Sequence, residues 1–152
     1  MKADLFDFYI YKSIQNTNDE IKRINIMNNL KKRNLALFSL EQKSGRGRAE
    51  NVWYSSKGDL TCSFLINYNL EVSRIGQINI LILSNLLNVL ERMHEDIDFK
   101  FKWPNDIYLN QKKLAGILVE TSVKDSVTDH ITIGIGMNFI SKPKVLDFQA
   151  IS

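Results

Sequence analysis

The sequence predicts one domain of the α+β class, and three observations carry that expectation. The chain has 152 residues, 44% of them hydrophobic, enough for one real core and too few for two. Two stretches place apolar residues at helical spacing, and several others read as strands, a hairpin among them. Lysine and arginine exceed aspartate and glutamate by 20 to 17, a net charge of +3. That excess is too small to attract nucleic acid in bulk, so any anion recognition has to be local.

Leu5 to Lys12 holds Phe8, Tyr9, Ile10 and Tyr11, whose bulk and branching favour an extended strand. Thr17 with Glu20 three residues on reads as a capping box. Ile21, Ile24, Met27 and Leu30 follow at helical spacing, which predicts a helix over residues 18–32. Lys31, Lys32 and Arg33 then suit the negative end of the helix dipole, a simpler reading than a binding patch. Leu35 to Glu41 predicts a second strand and Leu60 to Ile66 a third. In the third, Leu60, Cys62, Phe64 and Ile66 share a face by period two, so Cys62 reads as a small core residue rather than a nucleophile. A single cysteine excludes an internal disulfide and agrees with a reducing, cytoplasmic compartment.

Ser73 reads as the cap of a long helix whose apolar face runs through Ile75, Ile78, Ile82, Leu86, Val89, Leu90 and Met93. Gln77, Asn79, Ser84, Asn85 and Asn88 interrupt this stretch, which excludes a lipid-embedded span and predicts a buried helix of a soluble protein. Met1-Lys2-Ala3-Asp4 lacks the basic segment and apolar run of a signal peptide. Phe99 to Trp103 alternates aromatics with Lys100 and Lys102 until Pro104 stops the run, so pattern alone puts both lysines on the wet face of an antiparallel strand. Asp106 to Leu109 and Leu114 to Glu120 flank Asn110 to Lys113 as a hairpin, and Ile131 to Phe139 is the last strand. Gly116, Gly134 and Gly136 fall inside these strands. Glycine there marks the close approach of a backbone or ligand, and hence a concavity.

The chemistry centres on Gln42-Lys43-Ser44-Gly45-Arg46-Gly47-Arg48, where glycines free the backbone and arginines supply fixed charge suited to a phosphate or carboxylate. Arg48 and Ala49 follow the second glycine, so this is not a P-loop, which needs a lysine and a hydroxyl there. Trp53, close by, reads either as core or as a surface for stacking a purine. His94 and His130 belong to no nucleophile triad or metal motif. What remains are the cations Arg46, Arg48 and Lys102, with Lys113 a further candidate, the amides Gln42, Asn105 and Asn138, and the acid Asp106. Such a set fits a reaction limited by charge repulsion, such as attack of a carboxylate on the α-phosphate of ATP, where one oxyanion donor is worth about 3 kcal/mol.

Gln42 to Arg48 with Trp53, then Lys102-Trp103-Pro104-Asn105-Asp106, Lys113 to Glu120, and Gly134-Ile135-Gly136-Met137-Asn138, in this order and spacing, resemble the biotin protein ligases. The resemblance implies a mixed, largely antiparallel sheet with flanking helices, like class II aminoacyl-tRNA synthetases and lipoate ligases. It implies that ATP and biotin, with magnesium, give biotinyl-5′-AMP, and that biotin then passes to a lysine of a biotin carboxyl carrier domain. Carried over by position, Asn16, Thr17, Asn18 and Gln42 lie at the biotin ureido end, and Arg46, Gly47 and Arg48 form the loop ordered over biotin and adenylate. Lys102 and Arg48 are the catalytic cations, Lys102 joining the biotin carboxylate to the α-phosphate. Arg48, Trp53, Asn105 and Asn138 serve the nucleotide, and Asp106 the metal. Gly116, Gly134 and Gly136 let backbone approach the ligands. The chain departs from the family at Asn16, usually serine, at Glu50, usually glycine, and at Asn51, usually basic. Family members continue past the position of Asn138 into more helix and a small β-barrel, so residues 1–152 are expected to form a shortened catalytic domain without the DNA-binding winged helix. A non-catalytic remnant that binds biotin or adenylate is the alternative. An RNA-binding module using Gly45-Arg46-Gly47-Arg48 is a poor third reading, since the sequence lacks repeated arginine-glycine units and a broad basic face.

Overall fold

The computed structural model describes residues 5–28, 33–49, 51–124 and 126–140. In chain order its elements are β1 (Phe6–Tyr11), α1 (Thr17–Met27), β2 (Asn34–Ser39), β3 (Gly45–Arg46), β4 (Val52–Trp53), β5 (Leu60–Ile66), α2 (Ile75–Met93), β6 (Phe99–Lys102), β7 (Asp106–Leu109), β8 (Lys112–Lys124) and β9 (Val127–Met137). Seven strands form one sheet in the order β1-β2-β5-β9-β8-β7-β6, and β3 with β4 makes a separate ribbon. Only β1 and β2 run parallel, joined by α1 as a crossover, and every other pair in the sheet is antiparallel. The mixed, largely antiparallel α+β architecture expected from the sequence is the one observed.

Helix α1 starts one residue earlier than the sequence suggests. Asn16, in extended conformation at φ −149° and ψ 130°, is the N-cap, and its side chain accepts the Asp19 N–H at 3.1 Å. Thr17 is therefore the first helical residue, and its hydroxyl is released for another partner. The helix ends at Met27 instead of 32, with no basic residue in its last turn. Lys31 and Lys32 lie outside the described residues, and Arg33 pairs with Asp7 of β1, so it serves the sheet edge rather than the dipole. Ile21 and Ile24 bury against Leu35, Leu37 and Leu65, and this core covers one face of β2 and β5. Each such side chain contributes about 1.5–3 kcal/mol.

The other face carries α2. Its core takes Ile133, Met137 and Ile117 from β9 and β8, with Phe64 and Ile66 from β5, against Leu83 and Leu90. The period-two reading of β5 holds, and Cys62 is buried, its thiol pushed up to about 12 by burial. The helix expected to be buried, α2, packs on the sheet as expected but is buried along one side only. A 3-10 turn, Val72–Arg74, precedes the helix, which has no side-chain cap, so Ser73 is not its N-cap. Val89 and Met93 are exposed, and Leu83 and Leu87 take their place against the sheet. The cause is geometric: the sheet touches one side of α2, and its apolar surface extends beyond that side. No helix among the described residues is long and apolar enough to cross a membrane.

Candidate functional site

On the α1 side of the sheet, small residues lie in register across three strands. Thr61 pairs with Gly136, Gly136 with Gly116 and Gly116 with Asp106, while Ser63 pairs with Gly134. Large side chains at these positions would fill the space above them. A Cβ on Gly134 would lie 2.5 Å from Asn18 Oδ1, one on Gly116 2.8 Å from Trp53 Cζ3, and one on Gly136 2.5 Å from Trp53 Nε1. The groups that approach these glycines here are thus three side chains, Asn18, the Trp53 indole and Lys113. Above the floor is a cleft of about 430 Å³. Asn16, Thr17, Asn18, Gln42, Arg46, Gly47 and Arg48 line one wall, and Trp53, Asn105, Asp106, Gly116, Gly134 and Asn138 complete the floor and far side. Lys102 is absent from this lining, and Lys113 is present.

The start of α1 is stitched to the glycine–arginine loop. Gln42 Oε1 accepts both the Thr17 N–H at 2.7 Å and the Thr17 hydroxyl at 3.0 Å, and Asn16 donates to the Ser44 carbonyl at 3.0 Å. Asn18 is fixed at both ends of its amide: Ser63 donates to Oδ1 at 2.6 Å, and Nδ2 donates to Glu120 at 2.7 Å. Because a carboxylate only accepts, Glu120 decides which way that amide faces. Glu120 also takes Lys22 at 2.8 Å and Arg46 at 3.3 Å, while Arg46 forms a two-pronged pair with Asp19 in the first turn of α1. Burial pushes the Glu120 carboxyl up, but hydrogen bonds from Lys22 and Asn18 outweigh it and hold it below the usual carboxylate range. Asp19 is held low by its hydrogen bond from Arg46, and the Arg46 guanidinium is raised in return.

The far wall places the two candidate lysines differently. Lys102 pairs in register with Asp106, so it shares the cleft face, but β6 lies two strands out from Gly116. Its ammonium rests on Tyr108, 3.4 Å from the hydroxyl and 5.0 Å from the ring centre. Lys113 instead reaches Asp106 at 2.7 Å and lies 5.3 Å from the Trp53 ring centre, at the cleft. A register shift in the β7–β8 ladder turns it there: Ile107 faces Ala115 but Tyr108 faces Lys113, leaving Leu114 as an extra residue. Arg48 reaches Asn105 Oδ1 at 3.4 Å, and Asn105 in turn donates to the Ile117 carbonyl at 2.8 Å. Arg46, Arg48 and Lys113 thus bring three cations to one cleft. The Trp53 Nε1 is buried there without a hydrogen-bond partner. Glu50 lies outside the described residues. No group of acids, histidines and cysteine among the described residues could hold a metal, and Asp106 is a single carboxylate already paired with Lys113. These residues do not fit a resident ion.

The model of the biotin/lipoate A/B protein ligase family matches residues 10–138. The chain belongs to this family. Among the family's characterised proteins, the bifunctional ligase/repressor BirA of Bacillus subtilis is 32% identical over 104 residues, which are 68% of this chain and 32% of that protein. Among solved structures, the biotin protein ligase of Leishmania major in complex with biotin superposes with a TM-score of 0.77 at 26% identity, over 95% of this chain and 61% of that one. The biotin protein ligase of Aquifex aeolicus in complex with biotin and ATP gives 0.72 at 29% identity, over 95% and 58%. The chain therefore spans about a third of the length of that BirA and about three fifths of the two solved ligases.

Proposed function

We propose that the chain is the catalytic core of an ATP-dependent biotin protein ligase. The observation that carries this reading is a single cleft in which a polar end, Asn16 to Asn18 with Gln42, leads to three cations, Arg46, Arg48 and Lys113. Biotin has a ureido ring at one end and a carboxylate at the other, and the cleft's two ends match them. Relatives solved with biotin, and with biotin and ATP, support the choice of ligands.

In the first step a carboxylate oxygen of biotin attacks the α-phosphorus of ATP, forming a C(O)O–P bond as pyrophosphate leaves. The nucleophile is already ionised, so the chain has only to neutralise and align two anions. Lys113, rather than Lys102, bridges carboxylate and α-phosphate, and Arg48 closes over them from Asn105. Trp53, Asn105 and Asn138 border the nucleotide end. Magnesium arrives with ATP as part of that substrate. In the second step a lysine amine of a carrier domain attacks the acyl carbon, AMP leaves, and the amine loses a proton to give the amide.

The test is incubation with ATP, magnesium, labelled biotin and a biotin carboxyl carrier domain, which is expected to yield biotinyl-AMP and labelled carrier. Biotin binding by calorimetry without either product would leave a binding-only protein. Absence of both binding and products would overturn the reading.

A further inference from the structure

We infer that Asn138 is a positioning residue for Lys113, acting through the β-bulge of β8. By strand alternation Gly116, Leu118 and Glu120 face the cleft, and an unbroken β8 would send Lys113 to the opposite, α2 side. The extra residue at Leu114 reverses that, and Lys113 emerges opposite Tyr108 on the cleft face. A bulge takes backbone groups off the ladder, and those groups then need other partners. Asn138 supplies one for Lys113: its side-chain Nδ2 donates to the Lys113 carbonyl at 3.2 Å, while its backbone N–H carries the β8–β9 ladder one rung past Ala115–Met137, to the Leu114 carbonyl at 2.8 Å.

Asn138 is suited to this task by its place in the chain. It directly follows β9, whose Met137 pairs with Ala115, so it stands beside the bulge. It is 2% exposed. Carbonyls only accept, which fixes the nitrogen end of its amide toward Lys113. The Leu114 side chain is buried in the α2 core, so packing grips the bulge from one face while Asn138 holds its backbone. The Lys113 ammonium then meets Asp106 and the Trp53 ring. Without the clamp, the bulge is free to slip by one residue and carry Lys113 off the cleft face.

The catalytic half of this inference rests on the ligase reading, while the structural half rests on geometry alone, and two measurements separate them. The first uses Asn138→Asp, which keeps the shape but replaces the donor with an oxygen facing a carbonyl, with Asn138→Ser as a second variant should the first fail to fold. Labelling of Lys113 by an amine-reactive ester, followed by mass spectrometry with Lys100 as the internal control, is expected to speed up roughly tenfold, the scale of one lost hydrogen bond. Unchanged Lys113 labelling would overturn the clamp, whether or not the protein proves to be a ligase. The second is a double-mutant cycle on adenylate formation. Asn138→Asp is expected to lower kcat and to add nothing to the kcat loss caused by Lys113→Ala. Losses in kcat that add in the double variant would mean that Asn138 does not act through Lys113, and would reject the inference.

Discussion

Lys113 shows why a candidate cation cannot be given its place from the sequence. Its odd-numbered position puts it out of phase with Gly116, Leu118 and Glu120, and only a one-residue irregularity, with no signature in the run Lys112-Lys113-Leu114, restores it. Lys102 is in phase with the cleft face but two strands away. The two lysines therefore make a sharp comparison. Lys113→Ala is expected to slow adenylate formation by about 10²-fold, the scale of losing one preorganised cation, and Lys102→Ala by less than about threefold. Single-turnover assays of both variants measure this, and the opposite ranking would return the catalytic role to Lys102. Thr17 is a milder case. Asn16 and Thr17 are both good capping residues in sequence, and what separates them is Gln42, 25 positions away, which engages the Thr17 hydroxyl. The pocket residues of the arginine loop and the glycine strands were legible because their backbone demands restrict residue type. Which of the two lysines lines the cleft was not, because charge says nothing about direction.

At the level of elements, α1 and the β3–β4 ribbon behave as a coupled pair, joined through Asp19 and Arg46 and through Glu120 behind them. Both carboxylates are held below their ordinary values. A depressed carboxyl contributes stability that is fully present above its unfolded pKa of about 4 and is lost as pH falls through the lower folded value. The ribbon is thus expected to stay closed from neutral pH down to about 4 and to open below it. Hydrogen exchange of the β3 and β4 amides at a series of pH values checks this. Protection that is constant down to pH 3 would show that the ribbon is held by its Gln42 and Ser44 contacts alone. Asp19 is half-exposed, so added salt is expected to weaken its share. The seven strands of the sheet were readable because period-two alternation is a local property, β5 and β7 with no end error, but β8 runs four residues past Glu120 and β9 starts four residues before Ile131, and the short β3–β4 ribbon was not read. The outward turn of α2 was not, since a wide apolar stripe does not say which part of it meets the sheet.

For the molecule as a whole, the two sheet edges differ. The outer edge at β6 carries Lys100 and Lys102, charges that discourage pairing with another chain. The edge at β1 reads Phe6-Asp7-Phe8-Tyr9-Ile10-Tyr11, with Phe8 66% and Ile10 78% exposed. Phe8→Lys is therefore expected to raise the concentration at which the isolated chain stays monodisperse, by light scattering, while leaving its melting temperature within about 2 °C. A large fall in melting temperature would show that the Phe8 ring is part of the core. The order of strands within the sheet could not be read from the sequence, because β5 pairs with β9 across some 70 positions of chain and no local pattern records a partner that far away.

That strand order has a consequence for how the chain comes to be folded. Strand β9 lies at the centre of the sheet, between β5 and β8, yet it is the last described strand in sequence. During synthesis the molecule therefore exists first as two incomplete half-sheets, β1-β2-β5 and β8-β7-β6, each with an open inner edge. Neither can bury its centre until residues 127–137 leave the ribosome, so the nascent chain meets chaperones and neighbouring chains with its most adhesive surfaces still unpaired.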